Sequence, residues 1–182
     1  FYQAKNLIKQ IKSCFNDVHY PILVDEEGGR VSRIKNILST RKFPAKYFGN
    51  LYNDNYNKFL LHYEIYVNSI SSILKSIGIN INTVPLLDVV SNKSNKIIGD
   101  RSFSSNPNTV SIIGNHCIKY FSNNKIATVI KHIPGHGSSH LDSHFHTPIV
   151  NEAKKNLYKK DFYPFMKKRS LLAMTAHVVY KK

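Results

Sequence analysis

Residues 126–145 have the sequence IATVIKHIPGHGSSHLDSHF. An apolar run over residues 126–130 leads into a loop that contains one lysine, four histidines and one aspartate. Pro134, Gly135 and Gly137 keep this loop out of regular secondary structure. A buried strand that ends in polar groups and a glycine-rich loop is how α/β enzymes present their sites. The sequence therefore predicts an α/β enzyme whose active site includes this loop.

Strands and helices are predicted to alternate on both sides of this segment. The predicted strands are residues 20–25, 79–90, 126–133 and 171–177, and the predicted helices are residues 3–14, 55–77, 106–121 and 151–168. Asp54 is placed to cap the second helix and Gly78 to end it, while Asn106 and Pro107 open the third. Apolar strands that alternate with amphipathic helices predict a parallel sheet with crossover helices.

Polar residues stand at the C-terminal end of each predicted strand. They are Asp25, Asp88, Lys131 with His132, and His177. This pattern favours a (β/α) barrel, although spacing alone leaves a doubly wound sheet open. Because a complete eight-unit barrel takes about 250 residues, we expect a partial TIM barrel of four or five βα units, with further strands before Phe1 and after Lys182.

Composition and cysteine usage fit a single globular domain. The chain has 182 residues, of which 42% are hydrophobic, and it contains no apolar run of roughly 18 residues that would suggest a membrane span. Cys14 and Cys117 lack metal-ligand spacing, so we expect free thiols in a reducing compartment. The sequence thus predicts a cytoplasmic protein with no membrane partner.

The net charge of +15 raises the alternative of a nucleic-acid-binding module. The lysines, however, are scattered along the chain, and their densest cluster lies on the predicted amphipathic helix 151–168. Only the charge supports this alternative, and we expect no nucleic-acid partner.

Four segments together resemble the N-terminal barrel domain of glycoside hydrolase family 3, and within it the β-N-acetylglucosaminidases. They are residues 25–33, 78–80 with 85–89, 101–103 and 131–144, in the order in which the family has them. The resemblance implies that residues 1–182 are an incomplete barrel domain of this family. It also implies a glycosidase that removes terminal β-linked N-acetylglucosamine, with a carbohydrate substrate such as a peptidoglycan fragment and no metal or organic cofactor.

The resemblance assigns the catalytic proton to His144 and the orientation of its ring to Asp142. A histidine titrates near neutral pH, so it can protonate a leaving oxygen and later deprotonate water. A carboxylate two residues earlier can reach one ring nitrogen and fix the tautomer of the other.

The resemblance also implies a set of sugar-binding residues. They are Asp25, Arg33, Arg101, Lys131 and His132. A carboxylate that accepts two hydroxyls, surrounded by basic donors, is suited to a pyranose. Structural roles stay open for several residues of this region: Glu27 could pair with Arg30, Arg101 could be a salt-bridge anchor, Asp88 is expected to be structural, and His177 fits either the core or a pocket wall.

Histidines at positions 132, 136, 140 and 144 raise a zinc site as a rival interpretation. Spacing of four residues has geometric meaning only on a helix, and the proline and glycines of this loop disfavour one. We therefore expect no metal, and we expect His136 to pack the loop.

Retaining hydrolysis also needs a carboxylate nucleophile. In the family this aspartate lies downstream of the histidine loop, and no aspartate of this chain matches its motif. We therefore expect a fragment of a working hydrolase. The alternative is a sugar-binding half-barrel that is inactive or that a complementing chain completes.

Overall fold

The computed structural model of the protein describes residues 1–90, 98–139 and 148–181. The helices are α1 (Tyr2–Cys14), α2 (Ala45–Asp54), α3 (Tyr56–Ile77), α4 (Pro107–Asn123) and α5 (Lys154–Lys159). The strands are β1 (Leu23–Val24), β2 (Ile81–Asn82), β3 (Ala127–Ile133), β4 (Ile149–Val150), β5 (Leu172–Thr175) and β6 (Val179–Tyr180). Short 3₁₀ helices are formed by Gly99–Arg101 and Tyr163–Phe165. Strands and helices alternate, which confirms the predicted α/β class.

The sheet has the strand order of a barrel wall. Strands β1, β2, β3 and β5 pair in parallel in that order, while β4 pairs in parallel with β6 in a separate ribbon. In a doubly wound sheet the order would reverse at a switch point, whereas here it advances in one direction. Within the described ranges, the four strands form an open wall and do not close into a ring.

Two asparagine side chains extend the short pairing between β1 and β2. The Oδ1 atom of Asn80 accepts the N–H of Ile22 at 2.8 Å. Asn82, which is completely buried, accepts the N–H of Glu26 at 3.0 Å and donates to its carbonyl at 2.9 Å. These side chains satisfy backbone groups that a longer ladder would pair, and they hold the residues on both sides of β1 against the chain of β2.

Helix α3 closely follows its predicted range of 55–77. Its N-cap is Asn55, whose side chain accepts the N–H of Lys58 at 2.9 Å. The predicted cap, Asp54, was wrong because this residue is the last of α2. Gly78 ends the helix in the left-handed conformation at φ 98°, as predicted. None of the helices in the described part of the chain combines the length and the apolar character that a membrane crossing would require.

Helices α3 and α4 cover one side of the sheet and form most of the core. The buried apolar side chains of α3 are Phe59, Tyr63, Val67, Ile70, Leu74 and Ile77, and those of α4 include Val110, Ile113, Cys117 and Phe121. Helix α2 adds Phe48, whose ring centroid lies 4.6 Å from that of Tyr63. Helix α4 approaches the sheet closely at Gly114, where an added Cβ would lie 2.5 Å from a methyl group of Leu87. This packing fixes the strands and leaves their C-terminal ends open.

The predicted helix 151–168 was wrong in length. Helix α5 covers only Lys154–Lys159, and a 3₁₀ turn follows at Tyr163–Phe165. Pro164 has no N–H to continue a helix. The chain instead turns so that Asp161 becomes buried, at 1% exposure. This turn brings Asp161 to the histidine loop.

The predicted strands at residues 20–25, 79–90 and 171–177 are longer than those observed. The second of these ranges forms β2 over two residues and then a single bridge between Leu86 and Lys131. Pro85 has no backbone N–H to donate to a neighbouring strand, so the extended backbone in this range continues without regular strand pairing.

Candidate active site

The C-terminal ends of β1, β3 and β5 border a cleft of about 360 Å³. Its polar and charged lining consists of Asp25, Glu27, Arg33, Arg101, Lys131, His132, His136, Thr175 and His177. The structure thus gathers in one cleft all five residues that sequence reasoning assigned to sugar binding. Their roles in binding stay a prediction.

Lys131 is the central group of the cleft and its side chain is only 2% exposed. Its Nζ donates to Asp25 Oδ1 at 2.8 Å, to Glu27 Oε1 at 2.6 Å and to Thr83 Oγ1 at 3.0 Å. An ammonium group has three protons to donate, and these three contacts match that number. Lys131 is therefore held by a complete set of acceptors at the end of β3.

Asp25 is the most accessible member of this network, with a side chain that is 45% exposed. Burial alone would raise its pKa, but hydrogen bonds from Lys131 and Thr83 and the charges of Lys131 and Arg33 outweigh burial and lower that pKa. Asp25 is therefore a carboxylate at neutral pH, and it can accept hydrogen bonds from a ligand in the cleft.

Glu27 and Arg101 form a two-bonded ion pair in the lining of the cleft. The Nε of Arg101 lies 2.7 Å from Glu27 Oε2, and its Nη2 lies 2.8 Å from Glu27 Oε1. Burial would raise the pKa of Glu27, but hydrogen bonding and charge from Arg101 and Lys131 lower it. Arg101 is therefore an anchor for Glu27, the structural role that the sequence left open, and it also lines the cleft. The suggested Glu27–Arg30 pair was wrong, because Arg30 pairs with Asp100 at 2.9 Å.

Asp88 is completely buried and orients His132. Its Oδ2 lies 2.7 Å from Nδ1 of His132, and its Oδ1 accepts the backbone N–H of His136 at 2.6 Å. Because a carboxylate oxygen only accepts, Nδ1 carries a proton and Nε2 is the nitrogen left for other contacts. Asp88 does not line the cleft, which agrees with its expected structural role. It sets the tautomer of His132, which does line the cleft.

The base of the histidine loop is held from the α5 side by Asp161. Its Oδ1 accepts the N–H of Ser138 at 3.2 Å and its Oδ2 accepts the hydroxyl of Ser138 at 2.7 Å. Burial raises the pKa of Asp161, and the bonds from Ser138 partly offset this rise. Tyr180 of β6 donates its hydroxyl to the carbonyl of Gly135. These contacts fix residues 135–138 between the sheet and the chain that follows α5.

His136 packs the loop, as the sequence suggested. It is 5% exposed, and its ring centroid lies 6.1 Å from that of His132. Burial lowers its pKa, with the charge of Asp88 acting in the opposite direction. His177, whose role was open, lies in the cleft wall.

The predicted catalytic pair, Asp142 and His144, lies outside the described residues. The zinc interpretation needed a helix through the histidine spacing, and residues 131–139 form none. Among the residues that the structure describes, no group of three or more histidine, cysteine or acidic side chains could hold a metal ion.

Sequence reasoning missed three contributors to the site. Glu27 lies two residues after Asp25 in the extended backbone that follows β1, and that spacing could have identified it. Thr83 and Asp161 gave no local signal, because their partners lie 48 and 23 residues away.

The chain matches the family model described as Glycosyl hydrolase family 3 N terminal domain over residues 2–182. Beta-hexosaminidase A of Pseudoalteromonas piscicida is 37% identical over 168 residues, covering 87% of this chain and 27% of that relative. A Beta-hexosaminidase of Thioalkalivibrio sulfidiphilus is 34% identical over 164 residues, covering 88% of this chain and 46% of that relative. The chain therefore spans less than half the length of these two relatives.

Solved structures agree with this match. NagZ from Neisseria gonorrhoeae in complex with N-trifluoroacetyl-D-glucosamine has a TM-score of 0.88 and 28% identity, covering 98% of this chain and 53% of that one. A glycoside hydrolase family 3 beta-N-acetylglucosaminidase from Paenibacillus has a TM-score of 0.81 and 30% identity, covering 98% of this chain and 34% of that one. The chain belongs to glycosyl hydrolase family 3, and it matches the N-terminal domain of that family.

Proposed function

We propose that the protein is part of a retaining glycoside hydrolase that removes terminal β-linked N-acetylglucosamine. The observation that carries this proposal is the cleft network in which Lys131 joins Asp25 to the Glu27–Arg101 pair. Its volume of about 360 Å³ falls in the range of small-molecule sites. Names of the relatives and the sugar derivative bound to the similar NagZ support an amino-sugar substrate.

The cleft residues can bind a pyranose through its hydroxyl groups. Asp25 accepts from two neighbouring hydroxyls, while His132, through Nε2, and Arg33 contact other oxygens of the ring. Lys131 keeps the carboxylate of Asp25 in place and ionised. A ligand that lacked the matching hydroxyls would leave these charged groups unpaired and would bind more weakly.

His144 is proposed as the general acid/base, with Asp142 as the residue that orients it. In the first step His144 protonates the leaving oxygen while a carboxylate attacks the anomeric carbon and forms a covalent glycosyl-enzyme. In the second step the neutral histidine accepts a proton from water, which attacks the same carbon and releases the sugar.

The nucleophile is proposed to be a carboxylate of a longer protein or of a complementing chain. Asp25 and Glu27 are ion-paired with Lys131, and Asp88 and Asp161 hold the loop. On this view residues 1–182 are an incomplete barrel domain. The open sheet supports it, since Leu171 beside β5 is 98% exposed and Leu23 of β1 is 53% exposed. The same exposure favours the second candidate, a sugar-binding half-barrel that a partner completes.

A role in recycling peptidoglycan fragments in the cytoplasm is proposed from the family resemblance. The free thiols of Cys14 and Cys117 suit a reducing compartment. N-acetylglucosamine-bearing muropeptides would then be the natural substrates.

Hydrolysis of an aryl β-N-acetylglucosaminide tests the proposal. Purified residues 1–182 are compared with the full-length gene product, and binding of free N-acetylglucosamine is measured for both. We expect binding by both and turnover only by the longer protein. Binding without turnover by either would favour the half-barrel. Turnover by residues 1–182 alone would make one of their acidic residues the nucleophile.

A further inference from the structure

Glu26 stands between two cleft residues and faces away from the cleft. Asp25 and Glu27 line the cleft, and successive side chains of extended backbone point to opposite sides. Glu26 is 2% exposed. A buried carboxylate is retained only where hydrogen bonds compensate for the loss of water, so its partners indicate its role.

The hydrogen-bond partners of the Glu26 carboxylate all belong to the loop that follows β1. Its Oε2 accepts the N–H of Arg33 at 2.6 Å and the N–H of Ile34 at 3.2 Å. Its Oε1 accepts the hydroxyl of Thr40 at 3.4 Å. Burial raises the pKa of Glu26, and these backbone hydrogen bonds act against the rise. The Glu26 side chain therefore connects residues 33–34 of this loop to Thr40.

The backbone of Glu26 is fixed independently of its side chain. Asn82 of β2 bonds both the N–H and the carbonyl of Glu26. The carboxylate is thus attached to the sheet on one side and to the loop on the other. Because its shortest contact is to the backbone of Arg33, it determines where Arg33 stands relative to β1.

Arg33 occupies the cleft edge beside Asp25. It lines the cleft, and its charge contributes to the lowered pKa of Asp25. We infer that Glu26 is a positioning residue for substrate recognition, which acts on the sugar only through Arg33. This inference deepens the proposed function and rests on it, since Arg33 is assigned there to the oxygens of the sugar.

A double-mutant cycle on the full-length protein tests the inference. Glu26→Met fills a similar volume without accepting a hydrogen bond, Arg33→Ala removes the sugar contact, and the double variant combines them. Glu26→Gln keeps an oxygen for Arg33 and Ile34 and can donate to Thr40. Glu64→Met is the matched control, on an exposed position of α3. The readouts are KM and kcat for the aryl glycoside and the dissociation constant of N-acetylglucosamine.

We expect Glu26→Met and Arg33→Ala each to raise KM and the dissociation constant about tenfold, with kcat changed less than threefold. The double variant should match Arg33→Ala alone, because the two changes remove the same contact. Glu26→Gln should return KM to within about twofold of the wild type, and Glu64→Met should not alter it. If KM of the double variant rose by the product of the two single-variant increases, Glu26 would act through other cleft residues. That result would overturn the inference.

A measurement on the unaltered protein covers the case in which Glu26→Met does not fold. Amide hydrogen exchange should be slow at Arg33 and Ile34, because their N–H groups donate to a buried carboxylate. Rapid exchange there would contradict the inference. Wild-type protein that neither binds N-acetylglucosamine nor hydrolyses the glycoside would contradict the proposed function and the inference with it. Wild-type binding with unchanged Glu26→Met binding would contradict the inference alone.

Discussion

Lys131 donates its Nζ proton to Glu27 Oε1 over 2.6 Å, and the two side chains are only 2% and 6% exposed. This pair connects strand β3 to the chain after β1 in the lining of the cleft. Arg101 completes the charge balance on the other side of Glu27. Two cations and two carboxylates, with Asp25 as the accessible member, therefore form one unit. Removal of any one member leaves buried charge without compensation.

Lys131→Met should destabilise the protein strongly. The variant leaves the carboxylates of Asp25 and Glu27 beside each other without the ammonium, and breaking a buried ion pair costs about 3–5 kcal/mol. Urea unfolding measures the free energy of unfolding. Lys58→Met, on the exposed face of α3, is the control and should change it by less than about 0.5 kcal/mol. A loss below about 1 kcal/mol in Lys131→Met would contradict the compensating role.

Protonation of Glu27 should make the protein less stable in acid than at neutral pH. Its pKa lies below the ordinary value of 4.5 in the folded state, so its contribution to stability is fully present above that value. The contribution is lost as pH falls through the folded-state pKa. Unfolding free energies measured from pH 7 down to pH 3 should therefore decline for the wild type.

The variant Glu27→Gln isolates this effect. It should be less stable than the wild type at pH 7, and its stability should fall less between pH 5 and pH 3. Glu64→Gln, at an exposed site, should keep the wild-type slope. Parallel curves for the wild type and Glu27→Gln would show that other carboxylates cause the acid sensitivity.

Sequence reasoning identified the elements whose signals are local. The apolar run before Lys131 predicted β3, and the helical spacing between Asn55 and Gly78 predicted α3, because burial of one face leaves a period in the sequence. The parallel order followed from the alternation of strands and helices. Five cleft residues could be named because each stands at or near a strand end or in a family motif.

The remainder depended on contacts between distant segments. Asp161 was assigned to a helix, and it instead turns inward because Ser138 offers it two donors. Asp88 was expected to be structural, yet its contact with His132 could not be read from spacing. Tertiary contacts of this kind override local propensity and leave no period in the sequence.

Asp88→Asn should switch the tautomer of His132. The carboxylate requires a proton on Nδ1, whereas an amide can present its N–H₂ to that nitrogen and leave the proton on Nε2. Nitrogen-15 NMR of the imidazole distinguishes the two forms. Because Nε2 would then no longer accept from a sugar hydroxyl, and a hydrogen bond between neutral groups is worth about 0.5–1.5 kcal/mol, turnover should fall about 2–10-fold. An unchanged tautomer would contradict this account of Asp88.

His144→Ala should impair turnover far more than binding. General acid–base catalysis contributes typically about 10²–10⁴-fold, so kcat of the full-length protein should fall by that factor. The dissociation constant of N-acetylglucosamine should stay within about threefold of the wild type. His62→Ala, at an exposed position of α3, should leave both unchanged. An unchanged kcat in His144→Ala would remove the acid/base assignment.

Asp161 should affect catalysis through the base of the histidine loop. Its carboxylate holds the N–H and the hydroxyl of Ser138, and Gly135 packs so closely that an added Cβ would lie 2.7 Å from the Cβ of Asp161. Asp161→Ala removes both acceptors while it keeps the Cβ that packs on Gly135, so it should cost about 1–3 kcal/mol of unfolding free energy. Because Ser138 precedes the predicted acid/base residue by only a few positions, kcat should fall as well.

The conservative variant Asp161→Asn separates the hold on the loop from the charge. Its amide oxygen can accept the N–H of Ser138 while its N–H₂ donates to the hydroxyl, so it should retain most of the stability and of kcat. Asp17→Ala is a matched control, since Asp17 also accepts a backbone N–H, that of His19 at 2.7 Å, but in an exposed turn. It should leave kcat unchanged. If Asp161→Ala lost stability and kept wild-type kcat, Asp161 would hold the fold without positioning the loop for catalysis.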